Sequence, residues 1–322
     1  MGQHGLVRGA GLNAVAQLTD VAFAELFGTT PERVRAHAGT ELDAADWSFE
    51  PLCESRRDAL VLQSLHRIHT PRLAHAGEHR AAEWDQGWRE NYDEFVASGF
   101  DKRKLVPKYV KEGVPVRLQR AYVQPSQRDF VYRYTRVFRA WLFREHLAPY
   151  STVYEIGCGT GDNLMHFAEL FPEAQLHGLD WAPSSQDILR AAAVHHGVRL
   201  AAARFDFFAP DPALRLAPGS AVLTFGALEQ VGPRHGAYLD FILTQRPALC
   251  VDVVGIGELY EEDELLDYLA LLYHRRRQYL DGYLTRLREL AAGGRIAIEA
   301  VHHQRFGNPF DDPYSYIVWR PL

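Results

Sequence analysis

The stretch Val153-Tyr-Glu-Ile-Gly-Cys-Gly-Thr-Gly-Asp162 decides the fold. An apolar strand ending in an acid runs straight into three alternating glycines. Glycine is required where the backbone turns to positive φ or passes against a ligand, and the helix that follows offers unpaired N–H groups to a carboxylate or phosphate. Such a turn is built to hold a nucleoside-bearing cofactor. A dinucleotide fingerprint reads G-x-G-x-x-G or G-x-G-x-x-A, with a small third residue where helix meets strand. Here Gly157, Gly159 and Gly161 alternate and Asp162 takes the sixth place, which disfavours a nicotinamide dinucleotide.

Further stations follow in order. After a helix over about Asp162 to Leu170 comes the apolar run Gln175-Leu-His-Gly-Leu-Asp180, ending in an acid at the offset expected for ribose hydroxyls. Trp181 offers a flat ring to an adenine. The run Arg199 to Phe205 leads into Asp206-Phe207, and Ala221-Val-Leu-Thr-Phe225 is continuous and apolar, as a parallel strand covered on both faces should be.

At Glu155, Gly157, Gly159 and Gly161 the chain resembles the class I S-adenosylmethionine-dependent methyltransferases, whose first motif reads E-x-G-x-G-x-G. The resemblance implies S-adenosylmethionine as cofactor, Asp180 on its ribose, and Asp206 and Phe207 beside its adenine. Cys158, Asn163, Trp181 and Phe225 complete the expected cofactor lining. It also implies a Rossmann-like, doubly wound α/β sheet of seven strands with the last strand antiparallel. The runs Arg295 to Val301 and Tyr314 to Trp319 resemble the final pair.

Composition agrees with an enzyme of this kind. The chain has 322 residues, 47% of them hydrophobic, enough for one large core or two modest ones. Its net charge of −6 argues against a general binder of nucleic acid or anionic membrane. Short basic clusters at Lys102-Arg-Lys104 and His274-Arg-Arg-Arg277 read as solvated helix faces. Cys53, Cys158 and Cys250 form no pattern, which suggests reduced thiols and a cytoplasmic protein. The opening Met1 to Leu6 lacks an apolar leader core and a myristoylation serine or threonine. No run of about eighteen apolar residues offers a membrane helix.

The pattern divides the chain at about residue 145. Residues 146–322 alternate strand and helix and read as the cofactor domain. Within them a long helical stretch, Glu261 to Ala292, is expected to break at Asp281-Gly282. Residues 1–145 read as a mostly helical substrate or lid domain. Thr30-Pro31-Glu32 is a helix start, and Glu54 to Ile68 and Trp84 to Phe100 have helical apolar spacing. The segment Pro107 to Tyr122 reads as a loop passing over the cofactor.

Methyl transfer is an in-line displacement, so the protein must align nucleophile and methyl group, and a hydroxyl acceptor also needs a base. In an open α/β sheet the ligand edge lies beyond the carboxyl ends of the parallel strands. Three loops reach it. Gly226 to His235 carries Glu229 and His235 as candidate catalytic groups and Gln230 as an acceptor contact. Gly255 to Asp263 places Glu258 and Tyr260 toward the acceptor. Val301 to Asp312 carries His302 and His303, one for each side of the strand end, with His302 the candidate base. His274 on the long helix is a further acceptor contact. Asp311 and Asp312 with His302 and His303 offer oxygen and nitrogen ligands for a divalent metal, but their spacing matches no metal motif and a metal-free base is the better reading.

A second, weaker resemblance spans Trp84 to Tyr122, Gly226 to Gln230, Tyr273 to Leu280 and Phe306 to Arg320. These look like sugar O-methyltransferases from bacterial polysaccharide and secondary-metabolite clusters. The resemblance implies a hydroxyl on a sugar or glycosylated small molecule as acceptor. The alternative is N-methylation of an amine or guanidine, anchored by Glu229 or Glu258. From another class, a partner protein that binds cofactor without catalysis would lack a base, and several candidates stand here. No nucleic-acid or membrane partner is expected, and a homodimer is the candidate assembly.

Overall fold

The structure is a computed structural model and describes residues 15–322; the reading of Met1 to Leu6 lies outside them. The first part of the chain carries β1 (Ala16–Gln17), α1 (Asp20–Phe27), α2 (Pro31–Asp43), β2 (Ser48–Pro51), α3 (Glu54–His69), α4 (Ala81–Ala97), β3 (Val116–Leu118), β4 (Ala121–Pro125) and α5 (Phe130–Leu142). Next come β5 (Thr152–Ile156), α6 (Asp162–Leu170), β6 (Gln175–Asp180), α7 (Pro183–His196), β7 (Leu200–Arg204), β8 (Ala221–Phe225) and α8 (Gly236–Gln245). The chain closes with β9 (Leu249–Val253), α9 (Leu265–Arg277), α10 (Tyr283–Ala292), β10 (Ile296–His302), β11 (Phe306–Gly307) and β12 (Tyr316–Pro321).

Seven strands form the large sheet in the order β10-β12-β9-β8-β5-β6-β7. Only β12 runs against its neighbours β9 and β10, so the sheet is Rossmann-like with an antiparallel last strand, as the glycine motif implied. From β5 the chain first winds outward through β6 and β7, then returns to lay β8 and β9 on the other side. That reversal opens a crevice beyond the carboxyl ends of β5 and β8. Alternation along each strand feeds two cores. Val153, Leu223, Val251 and Val318 face α1, α2, α5 and α6, while Tyr154, Val222, Cys250 and Trp319 face α8 and α10.

Thr30 caps α2 through the Arg33 N–H, with Pro31 at the first helical position. The predicted long helix breaks where expected but over a wider gap, since Gln278 (φ 53°) and Gly282 (φ 69°) both take the left-handed conformation. Glu261 to Glu264 precede α9 rather than forming its first turn.

One feature is absent from the sequence reading. A second, antiparallel sheet runs β1-β2-β4-β3-β11. The segment taken as a loop over Pro107 to Tyr122 therefore ends in a hairpin, turned by Gln119 (φ 46°) and Arg120 (φ 68°). Positive φ at both central positions gives the turn whose twist suits paired strands, although neither residue is glycine. Strands of two or three residues carry no readable period. The link between β10 and β12 leaves the large sheet to place Phe306 opposite Leu118, so the last part of the chain completes the small sheet.

Asp252 holds the centre of the large sheet. It is fully buried and accepts bonds from Thr224 Oγ1 (2.9 Å), Tyr283 Oη (2.7 Å), Trp319 Nε1 (2.7 Å) and Tyr238 Oη (3.4 Å). Burial raises its carboxyl against the pull of these donors. An orphaned buried donor costs about 1–3 kcal/mol. Asp252→Ala should therefore lower unfolding free energy by at least about 2 kcal/mol in denaturant titration; an unchanged midpoint would show the four donors to be satisfied without it.

Candidate functional site

The crevice is built first from what the glycine turn excludes. Gly157 (φ 77°), Gly159 (φ 52°) and Gly161 (φ 75°) all lie in the left-handed region. A Cβ at Gly157 would collide with Ala227, one at Gly161 with Leu189, and one at Gly159 would sit 2.9 Å from Trp88 Cζ2. The turn therefore has room for backbone alone, with the loop after β8, α7 and α4 closing on it. Asp180, at the end of β6, braces it: Oδ2 accepts from Gly159 N–H and Oδ1 from Ala182 N–H, both at 2.9 Å. Burial pushes Asp180 up to about 6 against these bonds. A carboxylate has about four acceptor positions, so capacity for ribose hydroxyls remains.

The adenine side is aromatic. Phe207 lies against Gly157, and the Trp181 and Phe208 rings are 6.1 Å apart. Asp206 accepts the Phe208 N–H at 2.9 Å, which shapes that turn. Phe225 packs 6.1 Å from both Phe138 and Tyr314. The Cys158 thiol faces Ser185 Oγ at 3.7 Å and is raised by burial.

Beneath the turn lies a polar cluster. Glu155 is wholly buried; Oε1 accepts from Asn163 Nδ2 at 2.6 Å and Oε2 has no partner. Burial pushes Glu155 up to about 8, against the Asn163 bond and the Arg139 charge. Arg139, on α5 and 2% exposed, donates through Nη1 to Asp162 Oδ2 (2.6 Å) and Asn163 Oδ1 (2.9 Å). The sequence reading missed Arg139. Its signal was an arginine between Phe138 and Ala140-Trp141 on an apolar helix. These unpaired polar atoms and the bare backbone turn fit a cofactor that carries both a nucleoside and an amino-acid end.

The other side of the crevice begins at Ala227. Two residues on, Glu229 sits half-buried in a short 3-10 turn, with Oε2 out of solvent and unpartnered. Burial, with the charge of Asp311, pushes Glu229 up to about 7. Gln230 accepts a bond from Arg80 Nη1 at 3.1 Å. Tyr109 leaves 59% of its surface open, yet its phenol is raised by desolvation and by Glu229, Tyr314, Asp162 and Glu155 around it. It lines a cleft with Arg80, Trp84, Trp88 and Lys108. Buried His274 donates Nε2–H to Asp311 Oδ2 at 3.1 Å, leaving Nδ1 unpartnered. Burial raises the Asp311 carboxyl, but His274, Asn308 and Arg117 outweigh it and hold it below the usual range.

Several expected groups do other work. His302 faces α1: its Nε2–H bonds the Leu26 carbonyl at 2.8 Å, and a Cβ on Gly28 would lie 2.5 Å from its Nδ1. Burial lowers this imidazole. His235 donates to the Asp281 carbonyl at 3.0 Å and packs on Tyr283, tying α8 to the turn before α10. Glu258 accepts the Leu284 (3.0 Å) and Thr285 (3.3 Å) N–H groups, a cap on α10. Tyr260 is buried, its hydroxyl accepting the Asp312 N–H at 3.0 Å. Which neighbour takes each polar atom could not be read from strand ends. His303 faces the other side from His302, 5.1 Å from Tyr260.

The residues weighed as a metal set are divided among these contacts. Ligand atoms of Asp267, His303 and Asp312 do lie within 4.8 Å of one another. Arg305 Nη1, however, bonds both Asp267 oxygens (3.1 and 2.8 Å), and Arg117 Nε lies 3.1 Å from Asp312. Two guanidinium groups already balance these carboxylates.

An acid raised by burial binds its proton more tightly folded than unfolded, so its contribution falls as pH rises toward the folded value. Between pH 7.5 and 8, above the titration of the histidines that burial holds low and below the thiols, Glu155 is raised further than Asp180 or Glu229 in the ligand-free protein. Thermal midpoints should fall across that window, and Glu155→Gln should flatten the slope. An equal slope in both proteins would remove Glu155 as its source.

The family model described as a methyltransferase domain matches residues 153–238, from β5 through the first turn of α8. No curated protein matches the chain. Among solved structures, N,N-8-amino-8-demethyl-D-riboflavin dimethyltransferase from Streptomyces davawensis is 15% identical with a TM-score of 0.40, over 95% of this chain and 90% of that one. An O-methyltransferase from neocarzinostatin biosynthesis is 14% identical at 0.40, over 84% and 97%. An rRNA methylase from Escherichia coli is 12% identical at 0.41, over 91% and 92%. At this level of likeness they say nothing of the acceptor. The motif, the strand order and the domain match agree: the chain carries a class I methyltransferase domain and is an S-adenosylmethionine-dependent methyltransferase.

Proposed function

We propose that this enzyme methylates a hydroxyl of a small polar acceptor, a sugar or glycosylated secondary metabolite, with Glu229 as general base. The observation that carries the reading is the Glu229 carboxyl: two residues past Ala227, which closes on the glycine turn, raised to about 7, with one oxygen unpaired. A base works best when its pKa lies near the operating pH.

The cleft supports a neutral acceptor. About 460 Å³ in volume, it is lined by Arg80, Trp84, Trp88, Lys108 and Tyr109 among others. Its cations are already paired, Arg80 with Glu83 (2.8 Å) and Lys108 with Glu90 (3.0 Å) and Glu94 (2.9 Å). The tilted Trp84 and Trp88 rings, 5.4 Å apart, offer apolar faces of the kind that pack on a sugar ring. All five residues come from the part before residue 145, which in this reading binds the acceptor.

When bound, S-adenosylmethionine supplies a methyl group activated by its sulfonium. Trp88, which closes on Gly159, limits water at the turn. Ionised Glu229 accepts the acceptor's hydroxyl proton on its carboxylate as the acceptor oxygen attacks in line. Gln230, held by Arg80, orients the acceptor.

Glu229→Gln should lower kcat by ~10²-fold or more while leaving S-adenosylhomocysteine binding intact. Because the base acts ionised, wild-type kcat/KM should climb with pH through about 7 to a plateau, and the variant should lose that step. Glycosides and amines offered side by side separate the N-methylation alternative: methylation of amines alone would overturn the hydroxyl reading.

A further inference from the structure

The run His274-Arg-Arg-Arg277 reads in sequence as a solvated helix face, and Arg275 does lie exposed, paired with Glu262 at 2.7 Å. Arg277, the last residue of α9, is only 7% exposed. Its Nη1 donates to the Ala74 carbonyl at 2.5 Å, its guanidinium lies 4.9 Å over the Tyr279 ring, and Nε has no partner. Among the described residues no carboxylate comes within 4.0 Å of it. A cation withdrawn from water without a counter-charge is costly, so the acids that feel it matter.

Its charge reaches the carboxyls of Glu83 and Glu229. Glu83 is already bound through both oxygens to Arg80. Glu229 keeps one oxygen out of solvent and unpartnered. The backbone holds cation and acid together. A Cβ on Gly232, in the turn that carries Glu229, would stand 3.0 Å from the Gln278 carbonyl oxygen, next in the chain after Arg277. The Ala76 N–H bonds the Arg277 carbonyl at 2.7 Å, and Arg80 bonds Gln230 at 3.1 Å. The one short segment from Ala74 to Arg80 thus fixes both Arg277 and the residue beside Glu229.

The groups facing Glu229 come from several elements: Asp311 from the link after β10, Arg277 and Tyr279 from the end of α9 and the break after it, and Tyr109 from the segment before β3. Burial lifts the Glu229 carboxyl and the Asp311 charge adds to it, while Arg277 supplies the opposing positive charge. Asp311 is itself served by His274 and Asn308, and the phenols, raised by burial, are neutral.

We infer that Arg277 is a positioning residue for methyl transfer: the buried charge that balances Glu229 in its ionised, proton-accepting form. This rests on Glu229 as the general base. The pair acts through space, and a setting poor in water is what lets separated charges count.

Titration of the glutamate side-chain carboxyls by carbon-13 NMR tests it without an acceptor, Glu229 being assigned by the signal missing from Glu229→Gln. The wild-type signal should inflect near about 7. Arg277→Met should move that midpoint upward by at least about half a pH unit, which is ~3-fold less ionised Glu229 at pH 6. Arg277→Lys, which keeps the charge, should return it toward the wild-type position. Retained S-adenosylhomocysteine binding shows each variant to be folded, and Arg277→Gln replaces the methionine variant if that one does not fold. A midpoint unmoved when the charge is removed, or moved equally by lysine, would overturn the assignment. A wild-type Glu229 that titrates in the ordinary carboxylate range would instead sink the general-base reading.

Discussion

The turn from Gly157 to Gly161 has no space for a side chain, and much of the structure is arranged around that lack of space. Ala227 closes on it from the loop after β8, Leu189 from α7 and Trp88 from α4. Three parts of the chain remote in sequence thus meet within one Cβ of the same backbone. A cofactor held on the turn is consequently in contact range of the loop that begins with Ala227 and of α4. Proximity of this kind is the larger share of what a methyl-transfer enzyme must supply.

Burial then sorts the acids into two groups. Asp267, Asp311 and Asp312 meet guanidinium or imidazole partners and form the frame between α9, β3 and the link after β10. Glu155, Asp180 and Glu229 are also withdrawn from water but lack a full counter-charge, and their pKa values rise to about 8, 6 and 7. Perturbed acids of this kind gather where a site waits for a ligand or a proton. The same contrast separates His274, whose Nδ1 is unpaired, from His302, spent on a backbone carbonyl.

The N-terminal layer is bound to the cofactor domain at several points. Arg89 pairs with Asp187 on α7 at 2.7 Å, Asp85 accepts the Ser184 N–H at 2.8 Å, and the Thr160 hydroxyl bonds the Leu105 carbonyl. At the other end β11 joins the small sheet, and the Tyr122 hydroxyl donates to the Pro309 carbonyl at 2.7 Å. The helix α4 and the glycine turn are therefore held in fixed relation.

Sequence alone determined the cofactor half. Period-two strands, alternating glycines and an acid at a set distance are local signals, and each is imposed by backbone geometry within a few residues. The apolar strands, the glycine turn and the helix break near Gly282 were legible for that reason, while the seven-stranded order with its antiparallel last strand followed from the family resemblance. Only the tertiary structure decided which polar atoms are left over. His235, His302 and Glu258 were plausible from their strand-end positions, yet their bonds go to Asp281, Leu26 and the start of α10, partners between 26 and 276 residues away. Arg139 was hidden for the converse reason: it sits on an apolar helix before the domain, and only packing shows that one of its nitrogens has no partner. Hydrogen-bond satisfaction is a property of the whole packed chain, so the acceptor side could not be read until the layers were in place.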